Sequence, residues 1–80
     1  MSKVVIEFTV PGVFYRKPAP EEPPFKEEGD MVSEGEVIGL VELMKTFIEI
    51  KATASGTLVK FLANEEDTVD VGQAVAEIES

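Results

Sequence analysis

The sequence predicts an all-β domain built from two related halves, and three observations support that prediction. Short runs of apolar residues alternate with polar residues, as in strands that bury one face. Glycine-containing turn pairs separate these runs. No segment carries a sustained helical stripe of apolar residues with capping residues at its ends. Short strands with frequent turns are expected to pack as two face-to-face sheets or a flattened barrel.

The strand candidates can be placed in order along the chain. They are the alternating run at Val4, Ile6 and Phe8, then residues 37–43, the alternating run at Ile48, Ile50 and Ala52, and residues 56–62 and 74–78. The β-branched and apolar residues in these runs favour strands. The turns between them are predicted at Gly29-Asp30, Gly35-Glu36, Ser55-Gly56 and Val71-Gly72.

The two halves of the chain align with one another. Residues 3–12 (KVVIEFTVPG) match residues 47–56 (FIEIKATASG), and residues 28–42 match residues 65–79. Identical residues recur at matched positions: Ile6 and Ile50, Thr9 and Thr53, Gly12 and Gly56, Asp30 and Asp67, Val32 and Val69, Gly35 and Gly72, Glu42 and Glu79. The alignment predicts a duplicated unit whose copies are related by a pseudo-two-fold axis.

A proline-rich insertion distinguishes the first half from the second. Arg16 matches Lys60 at one offset, whereas Phe25 matches Leu62 at an offset that is shorter by seven residues. The first half therefore carries an insertion at residues 18–24 (PAPEEPP), which contains four of the five prolines. Because proline cannot join a central strand ladder, we expect an ordered or extended excursion outside the sheets.

The predicted core consists of apolar residues, most of them at matched positions of the repeat. They are Val4, Ile6, Phe14, Val32, Ile38, Val41, Ile48, Ile50, Leu58, Val69, Val75 and Ile78.

Length and composition limit the function classes. Eighty residues allow one domain, 1–80, with no room for a catalytic domain beside a second module. The absence of cysteine excludes disulfides and thiolate metal sites, and the absence of histidine removes the usual general base and the commonest metal ligand. We therefore predict neither a catalytic nor a metal-binding residue.

The charge of −9 argues against nucleic-acid binding, which requires a basic face, and favours solubility. Most of the acidic residues are interpreted as a solvated surface, and docking onto a basic partner surface is the alternative. The N-terminus lacks the pattern of a signal peptide, and no apolar stretch reaches membrane-spanning length. A cytoplasmic protein without a membrane partner is expected.

Lys45 lies where the two halves join, because residues 43–46 fall outside both copies. Its primary amine is either a solvated charge or a handle for acylation. A tight turn ordinarily carries Asn, Asp or Gly, so apolar Leu43, Met44 and Phe47 beside an exposed lysine indicate a recognition surface. The sequence offers Lys45 no catalytic partner, so a separate enzyme would have to acylate it.

The segment Glu42-Leu43-Met44-Lys45 resembles the Glu-Ala-Met-Lys motif of biotinyl domains. Residues 12–16 (GVFYR), with Pro18, Pro20 and Phe25, resemble the segment that leads into the thumb of the biotin carboxyl carrier proteins of acetyl-CoA carboxylase. The resemblance extends from about Val5 to Glu79. It implies a capped, flattened β-barrel of two four-stranded antiparallel sheets, with the acceptor lysine on a tight hairpin.

The resemblance also implies a function. Biotin would be amide-linked to Lys45 by a biotin protein ligase, and Leu43, Met44 and Thr46 beside it would complete the cofactor-binding site. The carrier would take a carboxyl group from biotin carboxylase to the carboxyltransferase of acetyl-CoA carboxylase, in fatty acid synthesis. The domain would be a non-catalytic swinging arm that raises the effective concentration of the tethered group. The thumb, which would contact biotin or a partner, comprises Pro18, Ala19, Pro20, Glu21, Glu22, Pro23 and Pro24.

Two departures from the family pattern bear on ligase recognition: Leu43 replaces alanine, and Thr46 replaces methionine. The chain starts almost at its first strand, which fits a stand-alone carrier or an excised domain. One alternative is a lipoyl carrier of a 2-oxo acid dehydrogenase complex, although that motif has an acid where this chain has Met44. The other is an unmodified interaction or assembly domain that binds through Leu43, Met44 and Phe47.

Overall fold

The computed structural model describes residues 2–80, and in this range all regular structure is β. The strands are β1 (Lys3–Glu7), β2 (Gly12–Tyr15), β3 (Met31–Val32), β4 (Val37–Leu43), β5 (Thr46–Lys51), β6 (Gly56–Phe61), β7 (Thr68–Val69) and β8 (Ala74–Glu79). The predicted fold class is confirmed. No helix in residues 2–80 has the length and apolar character needed to cross a membrane.

The strands form two four-stranded antiparallel sheets. Sheet I has the order β1-β8-β6-β3, and sheet II has the order β5-β4-β2-β7. Exchanging every strand with its counterpart in the other half (β1 with β5, β2 with β6, β3 with β7 and β4 with β8) converts one order into the other. Each sheet therefore combines strands from both halves, so that neither half completes a sheet alone.

Matched hydrogen bonds confirm the pseudo-two-fold repeat. The Asp30 carboxylate accepts a hydrogen bond from Glu27 N at 2.9 Å, and the Asp67 carboxylate accepts one from Asn64 N at 2.8 Å. Backbone bonds repeat in the same way: Gly35 N to Ala52 O and Gly72 N to Phe8 O, Leu58 N to Asp30 O and Phe14 N to Asp67 O. The two halves thus share their turns as well as their strands.

Two glycines have the same steric role in the two halves. Gly12 and Gly56 have φ values of 150° and 157°. A Cβ atom at Gly12 would overlap the carbonyl oxygen of Glu42, and one at Gly56 would overlap that of Glu79. Glycine is therefore required where β2 and β6 begin, because backbone approaches too closely for a side chain.

The core lies between the sheets and follows the prediction with two exceptions. Val4 and Ile48 are half-buried, whereas the other predicted core residues are buried. These two residues occupy equivalent positions on β1 and β5, which are edge strands with a neighbour on one side only. The prediction omitted four further buried apolar side chains: Phe8, Ala52, Ala63 and Ala76.

A β-bulge shifts part of the predicted alignment. The pairing of β6 with β8 changes register between Leu58 and Lys60, and the pairing of β2 with β4 has no such shift. Val59 is therefore an extra residue in β6. As a result Tyr15 corresponds to Lys60 and Arg16 to Phe61, so the predicted match of Arg16 with Lys60 was wrong by one position.

The predicted thumb, residues 18–24, lies in the loop between β2 and β3. A hydrogen bond of 2.9 Å from Phe25 N to Arg16 O closes the base of this loop, and one of 3.0 Å from Glu22 N to Ala19 O forms a turn within it. The thumb is thus an ordered excursion attached to the end of β2.

Candidate functional site

The hairpin between β4 and β5 turns through two residues, Met44 and Lys45. Leu43 pairs with Thr46 across the turn, and the φ values of Met44 and Lys45 are 53° and 65°. Positive φ at both central residues defines a type I′ turn, whose twist matches that of the flanking strands. Lys45 therefore stands at the tip of a tight hairpin.

This turn places two long side chains in a backbone region that favours glycine and asparagine. The left-handed conformation costs a residue with a Cβ roughly 1–2 kcal/mol. The long β4–β5 ladder maintains the turn despite this cost. In the other half, Ser2 and Ser80 occupy the positions that correspond to Thr46 and Leu43, and Ser80 N donates to Ser2 O at 2.9 Å. The strained turn is thus found where the chain joins the two copies, and at the equivalent place in the other half a hydrogen bond links two separate segments.

Met44 and Lys45 project into solvent. Met44 is 90% exposed, and Lys45 and Thr46 are exposed as well, whereas Leu43 is half-buried. Within residues 2–80, Lys45 takes part in no ion pair. The amine of Lys45 is therefore accessible to an approaching macromolecule, with Met44 and Thr46 beside it on the same tip.

An aromatic pair lies next to the hairpin on the outer face of sheet II. The rings of Tyr15 and Phe47 are 6.2 Å apart, and Phe47 remains 56% exposed. The Tyr15 hydroxyl donates a hydrogen bond of 3.3 Å to Glu42 Oε1. Desolvation, followed by the negative charge of Glu42, raises the pKa of the Tyr15 phenol. Tyr15 is thus held as a neutral hydrogen-bond donor over the physiological pH range.

A cavity of about 280 Å³ separates the thumb from this aromatic pair. It is lined by Tyr15, Lys17, Pro18, Ala19, Pro20, Phe47, Glu65 and Glu66. The first three thumb residues therefore line the cavity, while Glu21, Glu22, Pro23 and Pro24 lie outside its lining. Sequence reasoning missed Glu65 and Glu66 as site residues because the fold brings them to the thumb from a distant part of the chain, and it also missed Lys17, which directly precedes the predicted thumb.

Comparisons with known proteins agree with this architecture. The model of the family described as biotin-requiring enzyme matches residues 4–78. The biotin carboxyl carrier protein of acetyl-CoA carboxylase 2, chloroplastic, from Arabidopsis thaliana is 45% identical over 60 residues, which are 75% of this chain and 24% of that protein. The biotin carboxyl carrier protein of acetyl-CoA carboxylase from Streptococcus pyogenes is 32% identical over 74 residues, which are 92% of this chain and 45% of that protein.

A solved structure supports the same assignment. The crystal structure of Kluyveromyces lactis urea carboxylase superimposes with a TM-score of 0.80 at 29% identity, covering 99% of this chain and 6% of that protein. The chain spans less than half the length of these relatives. The family match covers the lysine hairpin and all eight strands except Lys3 at the start of β1 and Glu79 at the end of β8, and the chain belongs to the family of biotin-requiring enzymes.

Proposed function

We propose that this chain is a biotin carboxyl carrier domain in which biotin is joined through an amide to Lys45. The observation that carries the proposal is the position of Lys45 at the exposed tip of the hairpin that joins the two halves. Membership of the biotin-requiring family and similarity to carrier proteins of acetyl-CoA carboxylase support it.

The residues around Lys45 fit a covalently attached biotin. An exposed primary amine on a rigid turn can form an amide, and Met44 and Thr46 bring no competing charge beside it. The cavity between the thumb and Phe47 leaves open space on the side of the hairpin. Once attached, biotin supplies a ureido nitrogen that takes up and releases a carboxyl group.

The contribution of the chain is to present one amine. In its neutral form, Lys45 Nζ would attack the acyl carbon of biotinyl-adenylate held by a biotin protein ligase. The bond from that carbon to the phosphate oxygen would break, AMP would leave, and the nitrogen would lose a proton as the amide forms. The type I′ turn keeps this nitrogen away from the sheets, so the ligase can approach it without unfolding the hairpin. The exposed side chain of Met44 would give the ligase an apolar contact next to the lysine.

The partners follow from the same proposal. The carrier would present its arm first to a biotin carboxylase and then to the carboxyltransferase of an acetyl-CoA carboxylase, without itself catalysing either step. Tethering through Lys45 would give each partner a high effective concentration of the carried group. A cytoplasmic location stays a prediction, since similar plant proteins have chloroplastic in their names.

Intact-mass measurement tests the attachment. The chain is co-expressed with a biotin protein ligase and biotin, and we expect the added mass of one biotinyl group. Lys45→Arg retains the charge and removes the attackable amine, so it should gain none. Lys51→Arg is the matched control, because Lys51 lies on β5 beyond the hairpin, and it should be labelled like the parent chain.

Three results would contradict the proposal. Labelling of the Lys45→Arg chain would show that another lysine is the acceptor. A parallel expression with a lipoyl ligase that adds a lipoyl group, without biotinylation in the first experiment, would identify a lipoyl carrier. Failure of both ligases to modify the chain would favour an unmodified interaction domain.

A further inference from the structure

The outer faces of the two sheets differ in chemistry, although their backbones are related by the pseudo-two-fold axis. On sheet I, Lys60 and Glu77 pair across β6 and β8 and form an ion pair of 4.0 Å. The corresponding residues on sheet II are Tyr15 and Leu40. The pattern extends to the neighbouring positions, where Lys3 and Thr57 of sheet I are replaced by Phe47 and Val13 on sheet II. Sheet II is thus apolar or aromatic at these four positions, and Glu42 and Glu49 are the carboxylates on the same face.

The cavity under the thumb combines this aromatic face with carboxylates. Tyr15, Phe47 and the prolines Pro18 and Pro20 provide its apolar walls. Glu65 and Glu66 also line it, while Lys17 is the lysine in its lining. The excess of carboxylates over ammonium groups favours a cationic occupant.

The raised pKa of Tyr15 also supports a cationic occupant of the cavity. Desolvation is the main cause of the raised pKa of Tyr15, and the charges of Glu42, Glu66 and Glu65 raise it further. Three carboxylates therefore act on the wall of one cavity. Glu65 uses Oε1 to accept a hydrogen bond of 2.6 Å from Arg16 N, which leaves its second oxygen for another donor.

Aromatic walls with carboxylates nearby suit a guanidinium better than an ammonium or a neutral group. A guanidinium is planar, stacks on aromatic rings and donates paired hydrogen bonds to carboxylates, whereas a lysine ammonium is more strongly hydrated. The fold already contains one such contact, since the guanidinium carbon of Arg16 lies 4.1 Å from the ring centroid of Phe61.

We propose that the cavity between the thumb and the Tyr15–Phe47 pair docks an arginine side chain of a partner protein. The guanidinium would stack on the aromatic pair and donate hydrogen bonds to Glu65 and Glu66, and its aliphatic stem would lie against Pro18 and Pro20. The identity of the partner, a protein that approaches Lys45, rests on the proposed function. The preference for arginine rests on the cavity alone.

Titration of the isotopically labelled domain with N-acetyl-arginine amide tests the preference. Amide shifts in nuclear magnetic resonance spectra are followed as the compound is added. We expect saturable shifts centred on Tyr15, Ala19 and Phe47. N-acetyl-citrulline amide, which has the same shape without the charge, should bind at least about fivefold more weakly than the arginine compound. N-acetyl-lysine amide should also bind more weakly than the arginine compound, because its ammonium does not stack as well.

The repeat offers a matched pair of variants for the same titration. Glu65 accepts from Arg16 N and Glu28 accepts from Phe61 N at 2.9 Å, so they share a structural role, yet Glu65 alone of the two lines the cavity. Glu65→Gln should weaken arginine binding about threefold, whereas Glu28→Gln should leave it unchanged. Glu66→Gln provides a second variant that retains the Glu65 contact, and it should also weaken binding.

Several outcomes would overturn the inference. One is that the amide shifts do not saturate with the arginine compound, and another is that the citrulline compound binds equally well. A third is that Glu65→Gln and Glu28→Gln change the affinity equally. The last is that free biotin gives saturable shifts at Tyr15, Ala19 and Phe47 while the arginine compound gives none. The mass measurement on Lys45 does not depend on the cavity. Absence of biotinylation would therefore overturn the proposed function, whereas absence of arginine binding would overturn this inference and leave biotinylation intact.

Discussion

The two halves of the domain share a backbone plan but fill the core differently. In the first half, Phe14 lies over Gly39, where an added Cβ atom would be 2.6 Å from Phe14 Cε1. In the second half, the corresponding residues are Leu58 and Ala76, and both are buried. A larger side chain in one half is thus accompanied by the loss of a methyl group beneath it. Because protein interiors are close-packed, the side-chain volumes at contacting core positions compensate one another.

The same comparison locates the site. Features shared by both halves, such as the glycines at the starts of β2 and β6, are explained by folding alone. The features without a counterpart are the type I′ turn with Lys45 at the junction, the thumb in the first half, and the aromatic pair formed by Tyr15 of the first half and Phe47 of the second. These three features lie together beside the junction of the two halves. A duplicated fold of this kind separates the residues that support the structure from those available for function.

The largest expected effect is on the packing of the first half. Gly39→Ala should destabilise the domain by about 1–3 kcal/mol, because the new methyl group meets the Phe14 ring. Adding Phe14→Leu reproduces the pair found in the second half and should recover about 1 kcal/mol or more relative to the sum of the single changes. Urea denaturation of the four proteins measures this coupling. If the losses of stability in the two single variants add strictly in the double variant, the side chains at positions 14 and 39 do not compensate one another in the core.

The second prediction concerns backbone strain at equivalent turn positions. Glu66 has a φ of 66°, and its counterpart Gly29 has a φ of 96°. Glu66→Gly should stabilise the domain by up to about 1 kcal/mol, because relief of the left-handed strain exceeds the entropic cost of glycine. Thermal melting measures the gain, and Gly29→Ala should lower the melting temperature as the reciprocal control. A loss of stability with Glu66→Gly would indicate that the Glu66 carboxylate contributes more than its backbone costs.

The third prediction is a difference in pH dependence between two matched turns. Glu36 accepts a hydrogen bond of 2.6 Å from Ser33 N and forms an ion pair of 3.2 Å with Lys26, and its counterpart Gln73 accepts one of 3.1 Å from Asp70 N. The backbone hydrogen bond, followed by the contact with Lys26, lowers the pKa of Glu36. The resulting stabilisation is present above the unfolded pKa and is lost as the pH falls through the lower, folded pKa.

The test is the stability difference between neutral and acidic pH. Glu36→Gln should reduce that difference, since glutamine does not titrate, while Gln73→Ala should leave it close to that of the parent chain. Identical pH profiles for the parent and Glu36→Gln would show that Glu36 contributes nothing to acid sensitivity. The effect is expected to be small because 41% of the Glu36 side chain is exposed, so solvent screens its ion pair with Lys26.

Sequence reasoning predicted the parts of the fold that depend on local pattern. The period-two alternation located β1 and β5, the apolar and β-branched runs located β4, β6 and β8, and the matched glycines indicated the repeat, whereas β2 was not predicted. The two-residue strands β3 and β7 are too short to show any period. The bulge at Val59 could not be found, because it depends on hydrogen bonds between β6 and β8. Equally, Lys45 could be placed at the junction from the alignment, whereas the cavity depends on residues brought together from three separate segments.

The smallest expected effect on stability comes from removing the thumb. The second half completes its strands without an equivalent of residues 18–24, so the sheets should not require them. Deleting these residues gives the ungapped connection of the second half. The deletion should leave the melting temperature nearly unchanged and Lys45 still accessible to biotin protein ligase. The thumb contributes Pro18, Ala19 and Pro20 to the cavity, so arginine binding should be lost in the same variant. Thermal melting, intact mass and the arginine titration on this one protein separate the three roles.

Failure to fold would show that the loop supports β2 and that the repeat does not define a sufficient core. Normal folding with loss of biotinylation would assign the thumb to ligase recognition. Normal folding and biotinylation with arginine binding unchanged would remove the thumb from the docking site and leave it as a surface loop.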